Sequence, residues 1–299
     1  MSDRKATAAS LEPSATRRLL GQDQTVAANR AWWDDEAAAY HAEHGEFLGD
    51  AGFVWGPEGW SEAELDVLKL SPGQRILEIG GGAAQCARWI RESPGFDPVE
   101  IVSTDLSVGM LRVGTMLNGR TGSDLPLAAC DGTRLPFADG VFDTVFTSYG
   151  VVPFVADSAC LMQEVCRVLR PGGRFAFSTT HPIRWAFPDV PGPEGLTAHH
   201  SYFDRTPYVE SERTAEGDPR AHGERAAYPG VSEGSERVTY AEHHRTMGDR
   251  VRELVAAGFS VVDIVEPEWP DRNPQEWGGW SPLRGRLLPG TAIFVAVKD

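Results

Sequence analysis

The stretch RILEIGGGAAQ, Arg75 to Gln85, holds the residues of this chain best suited to ligand chemistry: an apolar run reaching Glu78, then Gly80, Gly81 and Gly82, then a helix-like segment. Residues without Cβ let backbone N–H groups approach a polar ligand closely, and the start of a helix favours negative charge. Two further acids, Asp105 and Asp131, stand where other apolar runs end. A carboxylate at such a point can accept from both hydroxyls of a diol, or from an amino group.

Three ligand classes use a turn of this kind. A nucleoside-triphosphate loop needs a Gly-Lys-Ser/Thr ending, and no lysine or hydroxyl residue follows Gly82 before Arg88. A dinucleotide fingerprint needs a third glycine where Gln85 stands, which weakens that reading. What remains, acid-x-Gly-x-Gly followed by Ala83 and Ala84, resembles motif I of the class I S-adenosylmethionine (SAM) methyltransferases.

The resemblance extends through VEIVSTD, Val99 to Asp105, a buried second strand, and through Leu125 to Gly150 with Asp131-Gly132. It implies that Asp105 holds the ribose hydroxyls and that Asp131 accepts from the adenine amino group. It also places Glu78, Gly80, Gly81, Gly82, Leu106, Met110, Gly132 and Ser148 around SAM as cofactor. From the residues alone, Asp105 and Ser107 could instead cap the following helix, and Asp131 could be a turn residue before Gly132. Asp143 reads as structural, opening its strand. The segment Glu164 to Thr179 resembles the family's post-motif: a helix stopped by Pro171, a turn at Gly172-Gly173 and a fifth strand.

A helix from Arg245 to Ala257 and strands near Val261 to Val265 and Ala292 to Val297 follow. The resemblance then implies an α/β fold: a Rossmann-like, seven-stranded, mostly parallel sheet with helices on both faces and the last strand antiparallel. An N-terminal tail and helical cap (residues 1–70) precede the SAM-binding domain (71–299), and residues 181–244 read as a substrate-side insertion or lid. The opening residues read as disordered, and Glu210 to Glu236 as a mobile part of the lid. Asn29 to His44 reads as a helix that puts Trp33 and Tyr40 on nearly one face, chiefly for packing. By resemblance to small-molecule methyltransferases, Tyr40 closes over the cofactor, with Trp55 a weaker candidate. Trp269, Trp277 and Trp280 cover the core, with room for one of them to wall an apolar pocket.

Methyl transfer from a sulfonium is an in-line displacement with a neutral leaving group, so positioning dominates and a base matters only for an acceptor with a high pKa. His181, just after the fifth strand, is the candidate base, with His243 or His244 second; a lone histidine is more often a structural hydrogen-bonder. Thr147-Ser148-Tyr149-Gly150 lacks the Asn/Asp-Pro-Pro-aromatic signature of adenine or glutamine amino methylation, and no Pro-Cys pair offers a pyrimidine-attacking thiolate. With 299 residues and a formal net charge of −15, the chain can bury a core and repels a phosphate backbone. Those absences predict a small-molecule acceptor as partner and no nucleic acid. No run approaches the ~20 apolar residues of a membrane span. No Cys-x-x-Cys pair suggests a metal site or a disulfide framework. Together with a polar N-terminus free of a secretory signal, this predicts a cytoplasmic enzyme.

Overall fold

A computed structural model describes residues 14–97, 99–213, 236–276 and 278–299. At its centre lies a seven-stranded sheet made of β2 (Arg75–Ile79), β3 (Glu100–Asp105), β4 (Leu127–Ala129), β5 (Phe142–Ser148), β6 (Leu169–Thr180), β9 (Phe259–Val265) and β10 (Thr291–Lys298). Its order is β4-β3-β2-β5-β6-β10-β9. β2 pairs in parallel with both β3 and β5, whereas β10 runs antiparallel between β6 and β9. The chain thus leaves β2 toward one edge and returns to its other side at β5. That reversal opens a crevice at the carboxyl ends of β2, β3 and β5, where open α/β sheets bind ligands.

Strand alternation explains why both faces are covered. Leu77 and Ile79 of β2, Val145 of β5, and Phe294 and Ala296 of β10 enter one core; Ile76, Phe146, Ile293 and Val295 enter the other. Successive strand residues point to opposite faces, so these nearly continuous apolar runs need helices on each side. The helices are α3 (Gln85–Glu92), α4 (Val108–Thr121), α5 (Ser158–Val168) and α6 (Met247–Ala256). Ser107 caps α4 by accepting from the Met110 N–H at 3.0 Å, as one sequence alternative foresaw. Asp143 is structural: it accepts from the Arg75 N–H at 2.6 Å and pairs with Arg170 at 2.7 Å.

The N-terminal region and the insertion form one structure instead of two appendages. The expected helix is longer than foreseen: α1 spans Gln22–Leu48 and ends at Gly49, whose φ of 72° suits a residue without Cβ. The short helices α2 (Glu62–Leu65) and α7 (Pro282–Gly285) lie in the connections flanking the sheet. Within the insertion, β7 (Tyr208–Arg213) and β8 (Glu236–Glu242) pair antiparallel, and β1 (Ser14–Arg17) adds to β7. The Asn29 side chain ties α1 to this small sheet, donating to the carbonyls of Phe154 and Ala241 and accepting from the Ala241 N–H, all at 2.9–3.0 Å. The expected mobile stretch therefore begins in strand at Glu210, and its residues 214–235 lie outside the described residues, as do residues 1–13 of the expected disordered tail and Trp277. Among the described residues no helix is long and apolar enough to cross a membrane.

Candidate active site

The turn after β2 is built from main chain. Gly80 and Gly82 take φ of 63° and 56°, and Ala84, a residue with Cβ, takes 61°. A Cβ on Gly80 would stand 2.9 Å from the Val151 nitrogen, and one on Gly150 would stand 2.5 Å from the Gly80 carbonyl oxygen. The tips of β2 and β5 therefore meet glycine against glycine, an approach that side chains would block. Arg88 of α3, fully buried, holds the elements behind the turn together by donating to Asn118 and to the carbonyls of Asp50, Ala83 and Gly114.

Asp105 stands at the tip of β3, beside this turn. Its Oδ2 accepts from the Gly82 N–H and its Oδ1 from the Ser107 N–H, both at 2.8 Å. Two fixed amides orient the carboxylate and leave each oxygen a further lone pair. Burial raises its pKa to about 6, against the opposing pull of the Ser107 and Gly82 amides. Asp131 follows β4. Its Oδ1 accepts from the N–H and hydroxyl of Thr133 at 2.9 and 2.8 Å, while Oδ2 has no hydrogen-bond partner among the described residues.

One cavity connects these groups. Gly80, Gly81, Gly82, Asp105, Leu106, Met110, Asp131, Gly132, Ser148 and Tyr40 all line it, so ten of the cofactor-site residues expected from sequence converge there. The Ser148 hydroxyl is already engaged, donating to the Val54 carbonyl at 2.6 Å. Tyr40 meets Trp33 and His44 edge to face, at 5.4 and 4.7 Å between ring centres, and burial lifts its phenol pKa to about 12. Trp33, Phe47, Tyr149, Phe154 and Trp280 supply an aromatic wall.

The remaining expectations lie elsewhere. Glu78 is 1% exposed and sits beneath the turn, where a Cβ on Gly81 would meet its Oε2 at 2.4 Å. It accepts from the Ser103 hydroxyl, and burial pushes its pKa up to about 8. Glu78 thus braces the floor from behind and does not line the cavity. Trp55 is likewise fully buried, its indole N–H donating to Glu62 at 2.9 Å. His181 is also displaced from the expected place. Its Nδ1 accepts from the Ile183 N–H at 3.1 Å, and its Nε2 faces Glu266 at 2.8 Å, away from the cavity. A residue that leaves a strand's carboxyl end can still turn sideways, and here the short helix begun by Pro182 turns it. His243 lies within 3.0 Å of Thr25, and His244 stacks on Trp185 with ring centres 5.0 Å apart; burial holds both near pKa 4. Trp269 is a covering residue, buried with its indole N–H on the Asn273 carbonyl, whereas Trp280 walls the cavity.

Asp34 of α1 carried no signal in the sequence. Its Oδ1 accepts from the Ser107 hydroxyl at 2.7 Å and from the Gly109 N–H at 2.8 Å, pinning α1 onto the first turn of α4. A carboxylate at a helix N-terminus is favoured by the unpaired N–H groups there. The contact fixes the helix whose Trp33 and Tyr40 line the cavity.

Residues 77–177, the strands and turns that build the cavity floor, match the protein family described as "Methyltransferase domain". Over those residues the chain carries a methyltransferase domain. Demethylmenaquinone methyltransferases of Beutenbergia cavernae and Mycolicibacterium vanbaalenii are 39% and 42% identical to it over 130 and 123 residues, or 42% and 40% of this chain. Each match spans 49% of the relative, so the chain covers about half the length of these curated proteins. A SAM-dependent methyltransferase structure from Mesorhizobium loti aligns over 81% of this chain and 100% of its own, with 26% identity and a TM-score of 0.57. The methyltransferase domain accounts for the sheet order and the position of the cavity, and the expected fold class is borne out.

Proposed function

We propose that this chain binds S-adenosylmethionine and transfers its methyl group to a small, flat, largely apolar acceptor. The observation that carries the reading is the one cavity lined both by the main-chain floor with the Asp105 and Asp131 carboxylates and by the aromatic side chains of Trp33, Phe154, Tyr149 and Trp280. The donor set fits the cofactor. Asp105 is oriented by two amides with acceptor capacity to spare for a diol, and Asp131 keeps an unpartnered Oδ2 for an amino group. The left-handed Gly80 and Gly82 keep side chains out of the space between those acids. When bound, the cofactor supplies an electrophilic methyl carbon on a positively charged sulfur.

The chain's own residues then orient and exclude water. Asp105 and Asp131 would hold the adenosyl group, and Tyr40 and Trp33 would cover it. The wall of Tyr149, Phe154 and Trp280 would hold a flat acceptor in one plane beside the methyl donor and exclude water from it. Such alignment replaces a bimolecular encounter by an effectively unimolecular one, which accounts for much of the acceleration this chemistry needs. The names of the curated relatives suggest a quinol-like ring as acceptor class, and the net charge of −15 disfavours nucleic acid. The four cysteines are free thiols, in keeping with a reducing, cytoplasmic setting.

The test is calorimetry with S-adenosylhomocysteine (SAH), the demethylated product, followed by transfer of labelled methyl to a panel of naphthols, naphthoquinols and simple carboxylic acids. Saturable SAH heat and label on an aromatic acceptor are the expected results. Heat without transfer to any acceptor class would mean that the chain binds the cofactor for another purpose. The absence of heat from folded protein would overturn the reading.

A further inference from the structure

With His181 turned aside, proton removal from a hydroxyl acceptor needs another route, and a different polar chain reaches the cavity. Tyr149 lines it from the tip of β5, held at a φ of 59° that residues with a Cβ rarely adopt. Its N–H donates to the Ser178 hydroxyl at 2.8 Å, and its phenol oxygen accepts from Thr180 at 3.3 Å. The Thr291 hydroxyl adjoins the same phenol and donates to Glu58 Oε2 at 2.7 Å. Glu58 is 2% exposed, and its Oε1 has no hydrogen-bond partner among the described residues.

Beside it, the Arg184 guanidinium is 6% exposed and stacks 4.2 Å over the Trp280 ring. Its Nη2 donates to the Gly279 carbonyl at 2.6 Å, while its Nη1 has no hydrogen-bond partner among the described residues. A buried carboxylate with a spare oxygen and a buried guanidinium with a spare nitrogen are expensive to keep in a folded protein. Strained backbone and unmet polar groups of this kind gather at functional sites.

We propose that Tyr149, Thr291 and Glu58 form a relay that removes the proton of a hydroxyl-bearing acceptor, with Arg184 as the positioning residue that steadies the charge on Glu58. The inference rests on the methyl-transfer reading above. As the acceptor oxygen bonds to the methyl carbon, the carbon–sulfur pair stays on sulfur and the O–H proton passes to the Tyr149 oxygen. The Tyr149 proton moves to the Thr291 oxygen, and the Thr291 proton moves to Glu58 Oε2. The positive charge on sulfur and the negative charge on Glu58 disappear together. The hydrogen bond from Thr180 leaves the phenol oxygen one lone pair for the incoming proton.

Glu58 faces Thr291, Tyr149, Arg184 and Trp280, and Arg184 faces Arg284 and Asp189 as well. Burial raises the Glu58 pKa, with the hydrogen bond from Thr291 the largest opposing influence and Arg184 the smallest, so the relay engages as the pH climbs through a value above the ordinary carboxylate range.

The experiment uses the full chain saturated with SAH and compares 1-naphthol with 1-methoxynaphthalene, which lacks the proton, by quenching of tryptophan fluorescence. The wild type should prefer 1-naphthol by about tenfold, the worth of one hydrogen bond, and the preference should grow with pH. Tyr149→Phe and Thr291→Val should bring the ratio to about one with SAH affinity unchanged, and Glu58→Gln should remove its pH dependence. An undiminished preference in Tyr149→Phe, or none in the wild type, overturns the relay. So does loss of SAH binding in all three variants, which would make the chain of groups structural. If SAH itself gives no heat, the cofactor reading fails first and the relay falls with it.

Discussion

Replacing Asp105 by Asn separates a ribose clamp from a turn brace, because the two duties use different lone pairs of one carboxylate. In the wild type each oxygen accepts one backbone N–H at 2.8 Å, from Gly82 and from Ser107. An asparagine has one oxygen and one NH2, so whichever way it turns, one of those N–H groups faces another donor. A buried donor left without an acceptor costs about 1–3 kcal/mol, and each kcal/mol lowers Tm by roughly 2–4 °C in a domain of this size class. On the ligand side, one hydroxyl of the diol loses a charged acceptor worth about 1.5–3 kcal/mol, which weakens binding by ~10-fold to ~150-fold. Calorimetry with SAH and thermal unfolding of the ligand-free protein read the two effects apart. A lower Tm with an unchanged Kd would refute the ribose assignment and leave Asp105 as a brace alone. pH adds an independent check. With its pKa raised to about 6 by burial, Asp105 is protonated below that value and gives up one acceptor. Wild-type affinity should therefore fall as the pH drops through 6, and the Asn variant should stay flat.

Glu78→Gln should change how stability depends on pH. Folding raises the Glu78 pKa from the ordinary 4.5 to about 8, so the folded state keeps a proton that the unfolded chain releases, and this contribution is full below 4.5 and lost as the pH rises through 8. Between about pH 6.5 and 8, above the range of Asp105, wild-type Tm should decline more steeply than that of the variant; parallel curves would show that Glu78 is already ionised in the fold. His181→Ala should leave SAH affinity and turnover within about twofold while lowering Tm through loss of the Ile183 and Glu266 contacts. A large fall in turnover at unchanged Tm would restore it as the base.

The glycine-and-acid part of the cavity was legible because its signals are local. A glycine run after an apolar strand, and acids at the ends of the next two strands, each sit within a few residues of the turn they build, and Gly80, Asp105 and Asp131 line one cavity. Glu78 failed on geometry that alternation makes plain in retrospect: a residue inside a central strand points into one packed face, whatever its charge. The acceptor half depends on partners far apart in the chain. Glu58 meets Thr291 across 233 positions, and Asp34 meets Gly109 across 75. No local pattern announces such pairs. The small sheet escaped notice because SATR and ERVTYAE are polar and lie outside the main core.

The glycine-to-glycine seam between β2 and β5 bears on how the cavity beside it can diversify. Exchanging one amino acid for another retunes a surface only where that surface is made of side chains, and this floor of the cavity is bare polypeptide. Innovation in acceptor choice is thereby channelled to α1 and the Trp280 loop, while the donor end stays invariant in shape. A mutagenesis library aimed at new acceptors should be confined to those two segments.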